Sequence, residues 1–283
     1  MKQYNAKNIR NVALAGHAGT GKTSLAEAML FLSGVTDRLG KVADGTTVCD
    51  FDPEEIRRGA SVSLAVAPLE WKNTKINLLD TPGLFDFTGG LSEGMRAAGS
   101  VVITISAKSG LAVGSEKAFK AAAKKGVAKI FFINEMDNEN ADFYKVFEEL
   151  KATFGPMVCP LVVPIVEDRR IQCYVNLLEY KAYAYRDGKV SEVPIPDMGH
   201  RLDGLRTCLL YTSARAQKSR RSPPDRLREA ASSANRWTGR WSGCWLRFAA
   251  CGKTSGISVG FLTNSPPFAC RIFLCWWRPR ETK

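Results

Sequence analysis

Eight residues, Gly16-His17-Ala18-Gly19-Thr20-Gly21-Lys22-Thr23, hold the densest chemistry in the sequence. Glycines at the two ends of such a loop let successive backbone N–H groups turn inward, and a helix beginning at Lys22 adds its positive end to the same spot. The natural occupant is a polyphosphate. Lys22 would meet the outer phosphates as a point charge, the Thr23 hydroxyl would sit on a magnesium ion bridging them, and Ser24 follows inside the helix. The competing reading is a glycine-rich turn that happens to end in Lys-Thr. The apolar run Val12 to Ala15 before the loop and the helical run Ser24 to Leu32 after it favour phosphate binding.

Two further groups of residues bear on the same ligand. Asp80-Thr81-Pro82-Gly83 closes an apolar run, where an acidic residue at a strand end faces metal and phosphate in nucleotide folds. Asp80 would hold the magnesium through water, and the Gly83 N–H, freed of a side chain and placed next to Pro82, would donate to a terminal phosphate. The same tetrapeptide also occurs as an ordinary turn. Asn134-Glu135-Met136-Asp137 ends another apolar run, and an Asp carboxylate there can accept from both N1–H and the exocyclic amine of guanine. Asn134 or Asp137 as a helix N-cap is the alternative.

The elements that must position these groups follow from periodicity. Residues 9–15, 62–69, 75–79, 100–106 and 128–133 read as strands, and 22–32, 88–97, 115–125 and 139–153 as helices. Residues 33–59 lose periodicity, a length that in a compact domain points to a functional loop. The alternation implies a sheet with helices on both faces. An α/β, three-layer P-loop NTPase fold with a mainly parallel sheet is expected.

At this level of detail the chain resembles the translational GTPases, most closely elongation factor G and its elongation-factor-G-like paralogues. Arg58-Gly59-Ala60-Ser61-Val62 is similar to that family's first switch element, and Ile76 to Gly83 followed by Asp86-Phe87 to its second. The similarity spans residues 8–206 and includes Val163-Pro164-Ile165, where the family begins an insert. The resemblance implies GTP or GDP with Mg2+ as cofactors and Ser61 as a third metal-facing residue beside Thr23 and Asp80. It also implies base recognition by Asn134 and Asp137, and a full-length parent that works as a monomer on the ribosome, with rRNA and ribosomal proteins as partners. The departures are specific. Leu84 stands where the family has a water-orienting histidine, Gly19 where it often has Asp, and Glu135 where it has Lys. No catalytic residue is therefore assigned, and slow hydrolysis is expected. A ribosome-protection or release-factor-like GTPase and a catalytically silent nucleotide-binding module are the alternatives.

Composition divides the chain. The total charge of +12 falls almost wholly after Arg206, and so do five of the six Trp and five of the eight Cys. Cys49, Cys159 and Cys173 lack metal-ligand spacing and suit a reducing compartment. The N-terminus has no secretory pattern, and no apolar run reaches the ~18 residues of a membrane span. A cytoplasmic protein without membrane contact is expected. Residues 1–155 should form an incomplete GTPase domain and 156–206 the start of an insert subdomain. Residues 207–283 are expected to be a non-homologous tail, artefactual or disordered, because Cys208 to Ser213 looks like a translated library-transposon end. The last strand of the sheet should then be missing, exposing an edge. Sequencing the source DNA across residue 207 is expected to reveal a frame break there, and an intact frame encoding the same tail would refute it.

Overall fold

The runs Val12 to Ala15, Val101 to Ile105 and Ile130 to Ile133 are buried, as befits parallel strands covered on both faces. In the computed structural model, which describes residues 2–156, 158–167, 170–186, 189–196, 202–210 and 270–274, they belong to strands β1 (Ile9–Gly16), β4 (Ser100–Ser106) and β5 (Ala128–Asn134). A hairpin of β2 (Ala65–Trp71) and β3 (Thr74–Asp80) turns tightly at Lys72 and Asn73, both at positive φ. The sheet order is β2-β3-β1-β4-β5, with β2 alone antiparallel. Helix α1 (Lys22–Leu32) packs over β1, β2 and β3, while α3 (Thr88–Ala97) and α4 (Val113–Lys124) pack on β1. The expected mixed α/β architecture with a mainly parallel sheet is present.

Between α1 and β2 lies α2 (Pro53–Arg58), which periodicity missed inside the 33–59 segment. Its signal was local: Asp52 and Glu55 form a capping box, Pro53 occupies the first turn, and Gly59 ends the helix at φ 61. Helix α5 (Phe143–Phe154) starts later than expected because Asp142 caps it, accepting from the Lys145 amide at 3.0 Å. This removes the reading of Asn134 or Asp137 as its cap.

The expected open edge of the sheet is corrected. Strand β6 (Cys159–Pro160) belongs to the main sheet, and between β5 and β6 stands a parallel strand from the far end of the chain, Cys270–Leu274. The unpaired N–H and C=O groups of β5 demand a partner, and this short β-prone run provides one. A second, antiparallel sheet comprises β7 (Val162–Glu167), β8 (Arg170–Asn176), β9 (Lys181–Arg186) and β10 (Lys189–Val193). Residues 202–210, helical and running across the expected break at 206, adjoin it. The Tyr180 hydroxyl donates to Asp203 at 2.9 Å, and the Arg206 guanidinium lies 4.4 Å from the Tyr180 ring centroid. Leu177 is fully buried. The remaining expectations for the tail concern 211–269 and 275–283, outside the described residues.

Phe131 of β5 is fully buried and stacks with Phe119 of α4 and Phe154 of α5. Phe131→Ala is expected to cost about 3–5 kcal/mol, measurable as a shift in the urea midpoint, while Asp52→Ala should cost about 1 kcal/mol.

Candidate functional site

The sheet order places β1 between β3 and β4, so the C-terminal ends of three strands open into one crevice at a topological switch point. The phosphate loop leaves β1 there. Gly16 is at φ 145, and a Cβ on it would stand 2.6 Å from the Thr104 carbonyl on the neighbouring strand, so only glycine lets the chain turn at this point. Thr20 fixes the loop's far side, donating to the His17 carbonyl at 2.8 Å and pairing with Thr104 at 2.7 Å. Ala18 and Gly19 line the bend between them, and Gly21, at φ 83, hands over to α1.

Lys22 and Thr23 are buried on the first turn of α1, and Ser24 beside them is exposed. The Lys22 ammonium donates to the His17 carbonyl at 2.8 Å, spanning the loop as the outer phosphates of a ligand would be spanned. Gly83 is packed so closely that a Cβ there would overlap Lys22 Nζ and lie 2.7 Å from the Ala18 nitrogen. Pro82 is buried beside it. Register sets Asp80 at the end of β3 opposite Leu14, and Thr81 locks it there by donating amide and hydroxyl to the Leu14 carbonyl.

Thr23 and Ser61 meet across the crevice. The Thr23 hydroxyl donates to Asp80 Oδ2 at 2.7 Å, the Ser61 hydroxyl donates to Asp50 Oδ1 at 2.7 Å, and the two hydroxyl oxygens stand 3.2 Å apart. With each hydrogen committed to a carboxylate, they face one another through lone pairs. Asp50 and Asp80 are 4% and 1% exposed, and the outer oxygen of each, Asp50 Oδ2 and Asp80 Oδ1, has no hydrogen-bond partner among the described residues. Two carboxylates and two hydroxyls thus converge with unfilled acceptor capacity. Sequence reading missed Asp50. Its only signal was an acidic residue in an aperiodic loop, whose position depends on how the loop folds back.

Electrostatics follow from burial. Desolvation lifts Asp80 to a pKa of about 7, against the Thr23 hydrogen bond and the Lys22 charge, which pull it down. Desolvation lowers Lys22, with the Asp80 and Asp50 carboxylates opposing. Each group is thus driven toward its neutral form.

The base-side residues are arranged differently. Asn134, at the end of β5, donates Nδ2 to the Thr20 carbonyl at 3.1 Å, and Gly21 lies so near that a Cβ on it would overlap that nitrogen. Asn134 therefore braces the phosphate loop. Asp137 is exposed in the turn that follows and makes no such contact. Glu135, at φ 59, accepts from the Ser106 hydroxyl on β4, a role that a lysine at this position would not fill. His17 faces the Phe85 ring at 5.6 Å and packs against Gly114, and the Lys117 ammonium sits 4.0 Å from the Phe85 centroid. Leu84, half-buried, immediately precedes the short 3-10 turn Phe85–Phe87.

A parallel sheet with a glycine loop on its central strand, a buried Lys-Thr pair and an acidic partner on the next strand define a P-loop nucleotide-binding domain of the GTPase class. The chain belongs to the family of the elongation factor Tu GTP binding domain, whose profile matches residues 7–237, and is thus a translational GTPase domain that binds guanine nucleotide. It is 38% identical over 191 residues to an elongation factor G-like protein of Thermotoga maritima, covering 68% of this chain and 27% of that protein. An elongation factor G-like protein of Mycobacterium tuberculosis is 36% identical over 203 residues, covering 71% and 28%. A crystal structure of a Thermus thermophilus protein superposes with a TM-score of 0.76 at 28% identity, over 96% of this chain and 38% of that one. The chain thus spans little more than a quarter of the length of these sequence relatives. Among the described residues no helix is long and apolar enough to cross a membrane.

A carboxyl whose folded pKa is raised stabilises the fold fully below its unfolded value and loses that contribution as pH rises through the folded one. For Asp80 the window is pH 4 to 7. Asp80→Asn is uncharged throughout, so the stability of this variant relative to the nucleotide-free parent should grow as pH rises across that window. Urea melts at pH 5 and pH 8 check it, and a pH-independent difference would count against the assignment.

Proposed function

We propose that this chain is the GTP- and GDP-binding part of an elongation-factor-G-type translational GTPase that works with Mg2+. In the full-length parent its partners are rRNA and ribosomal proteins, its step is ribosomal translocation, and it acts as a cytoplasmic monomer. The observation that carries the reading is the convergence of Lys22, Thr23, Ser61, Asp50 and Asp80 at the mouth of the phosphate loop.

The residues fit a magnesium ion. Two lone-pair-bearing hydroxyl oxygens and two buried carboxylate oxygens without hydrogen-bond partners form an all-oxygen set suited to a hard dication. Thr23, Ser61 and Asp80 would hold it, and when bound it supplies positive charge against the phosphates. Lys22 adds a fixed cation, the loop amides orient the phosphate chain, and the Gly83 amide is free to approach because no side chain intervenes. Asn134 keeps the phosphate loop in shape while Asp137, free in solvent, accepts from guanine.

Hydrolysis needs a group that orients the attacking water. Leu84 occupies the position that directly follows Gly83, and an aliphatic side chain neither donates nor accepts a hydrogen bond. The His17 ring, the nearest imidazole in sequence, is held against Phe85 and Gly114. The chain therefore binds GTP and hydrolyses it slowly. Leu84 also supports the second reading, a silent nucleotide-binding module. The 33–64 segment, carrying Asp50 and Ser61, is the part whose contacts to the terminal phosphate hydrolysis would release.

A fluorescent GTP analogue should bind the full chain, be displaced by GDP and GTP and not by ATP, and lose binding in Lys22→Ala. Single-turnover hydrolysis should be slow and rise at least about tenfold in Leu84→His. Displacement by ATP as readily as by GTP would overturn the guanine reading. Parental hydrolysis as fast as that of Leu84→His would overturn the role given to Leu84.

A further inference from the structure

One buried carboxylate near the phosphate loop is not used by the site chemistry. Glu27 lies on α1 and is 1% exposed, among Leu25, Ala26, Ala28 and Leu30. Its Oε1 accepts the Val48 amide at 2.6 Å; burial raises the carboxyl's pKa, and the nearby amides of Val48, Cys49 and Gly40 oppose that rise. Gly40 lies against it so closely that a Cβ there would overlap Glu27 Oε2 and stand 2.7 Å from the Thr46 carbonyl.

A carboxylate removed from water is costly unless its lone pairs are met. Here the donor is the Val48 amide, with the amides of Cys49 and Gly40 close by on the same loop. Among the described residues that loop pairs with no strand; besides Glu27 it is held by a short 3-10 turn, Val42–Asp44, and by the Thr46 amide and hydroxyl bonded to Lys41. Charge and loop therefore stabilise one another. Cys49 is followed at once by Asp50, the acceptor of Ser61. On the far side, Glu55 is also 1% exposed and accepts the amides of Val62 and Ser63 at 2.9 and 3.0 Å, together with the Ser63 hydroxyl. Two buried carboxylates thus fasten the segment on both sides of the residues that face the metal.

We propose that Glu27 is a positioning residue: by accepting the Val48 amide and seating Gly40 against α1, it holds Asp50 against Ser61 beside Thr23 before any ligand arrives. Its consequence for metal and nucleotide rests on the function proposed above, whereas the fastening itself is a property of the nucleotide-free chain. Removing the fastening leaves the phosphate loop intact and lets Asp50 drift, so the metal should be the part of the ligand most affected.

The test compares the full chain with Glu27→Gln and with Gly40→Ala, which keeps the carboxylate and displaces the loop. The first measurement is backbone hydrogen exchange without nucleotide. The amides of Val48 and Cys49 should exchange at least about tenfold faster in both variants, as loss of hydrogen bonds to a charged group requires, while amides of β1 and β4 stay unchanged. The second is the Mg2+ concentration for half-maximal binding of a fluorescent GTP analogue. It should rise about tenfold, with affinity at saturating Mg2+ within about threefold of the parent. Should Glu27→Gln give no cooperative melt, Gly40→Ala decides. Parental exchange rates at Val48 and Cys49, uniform acceleration across the sheet, or an unmoved Mg2+ midpoint beside faster exchange would each overturn the proposal. If the parent binds no guanine nucleotide and the local exchange difference is still present, the proposed function fails and the fastening by Glu27 stands.

Discussion

The site turns on one unresolved charge problem. Asp80 ends β3 inside the protein, and the Lys22 ammonium is buried near it, yet one oxygen of Asp80 and one of Asp50 lack, among the described residues, the partners that burial demands. A hydrophobic core would close over such a crevice. The parallel register of β1 with β3 and β4 prevents that, because it holds the three strand ends level and leaves the phosphate loop to curl over them. The folded chain therefore keeps two buried carboxylate oxygens without partners among the described residues beside the phosphate loop.

Much of this was legible in the sequence, and the reasons for the failures are physical. The buried strands β1, β4 and β5 and the helix α1 announced themselves because burial on two faces and helical periodicity leave strong local patterns. Lys22, Thr23 and Asp80 were legible because motif spacing fixes them relative to strand ends. Asp50 and Glu27 were not. One lies in a segment without periodicity, and the other reads as a single charge on an apolar helix, so their roles exist only once the 33–52 loop has folded back onto α1. Helix α2 was missed for a lesser reason, since its capping box was present in the letters. The strand Cys270–Leu274 was beyond reach, because nothing local links it to the edge of β5.

The departures from the family pattern sort by what they touch. The phosphate cradle and metal-facing residues form a closed set of mutual contacts, each of which constrains another. Leu84 and Glu135 lie outside that set. Leu84 leads into the 3-10 turn Phe85–Phe87, and Glu135 is turned inward to Ser106 on the neighbouring strand. On the function proposed above, binding and turnover would depend on separable groups.

The meeting of Gly21 and Asn134 has a consequence for how this chain can change over time. The amide of Asn134 occupies the space that any side chain at Gly21 would need, and Gly21 is already in a backbone region that favours glycine. Neither position can be altered alone without disturbing the other, so their substitutions should be strongly non-additive. The end of β5 and the phosphate loop are therefore tied together at this point. In the function proposed above, drift toward another nucleotide would be easiest at exposed Asp137, which the phosphate loop does not hold in place.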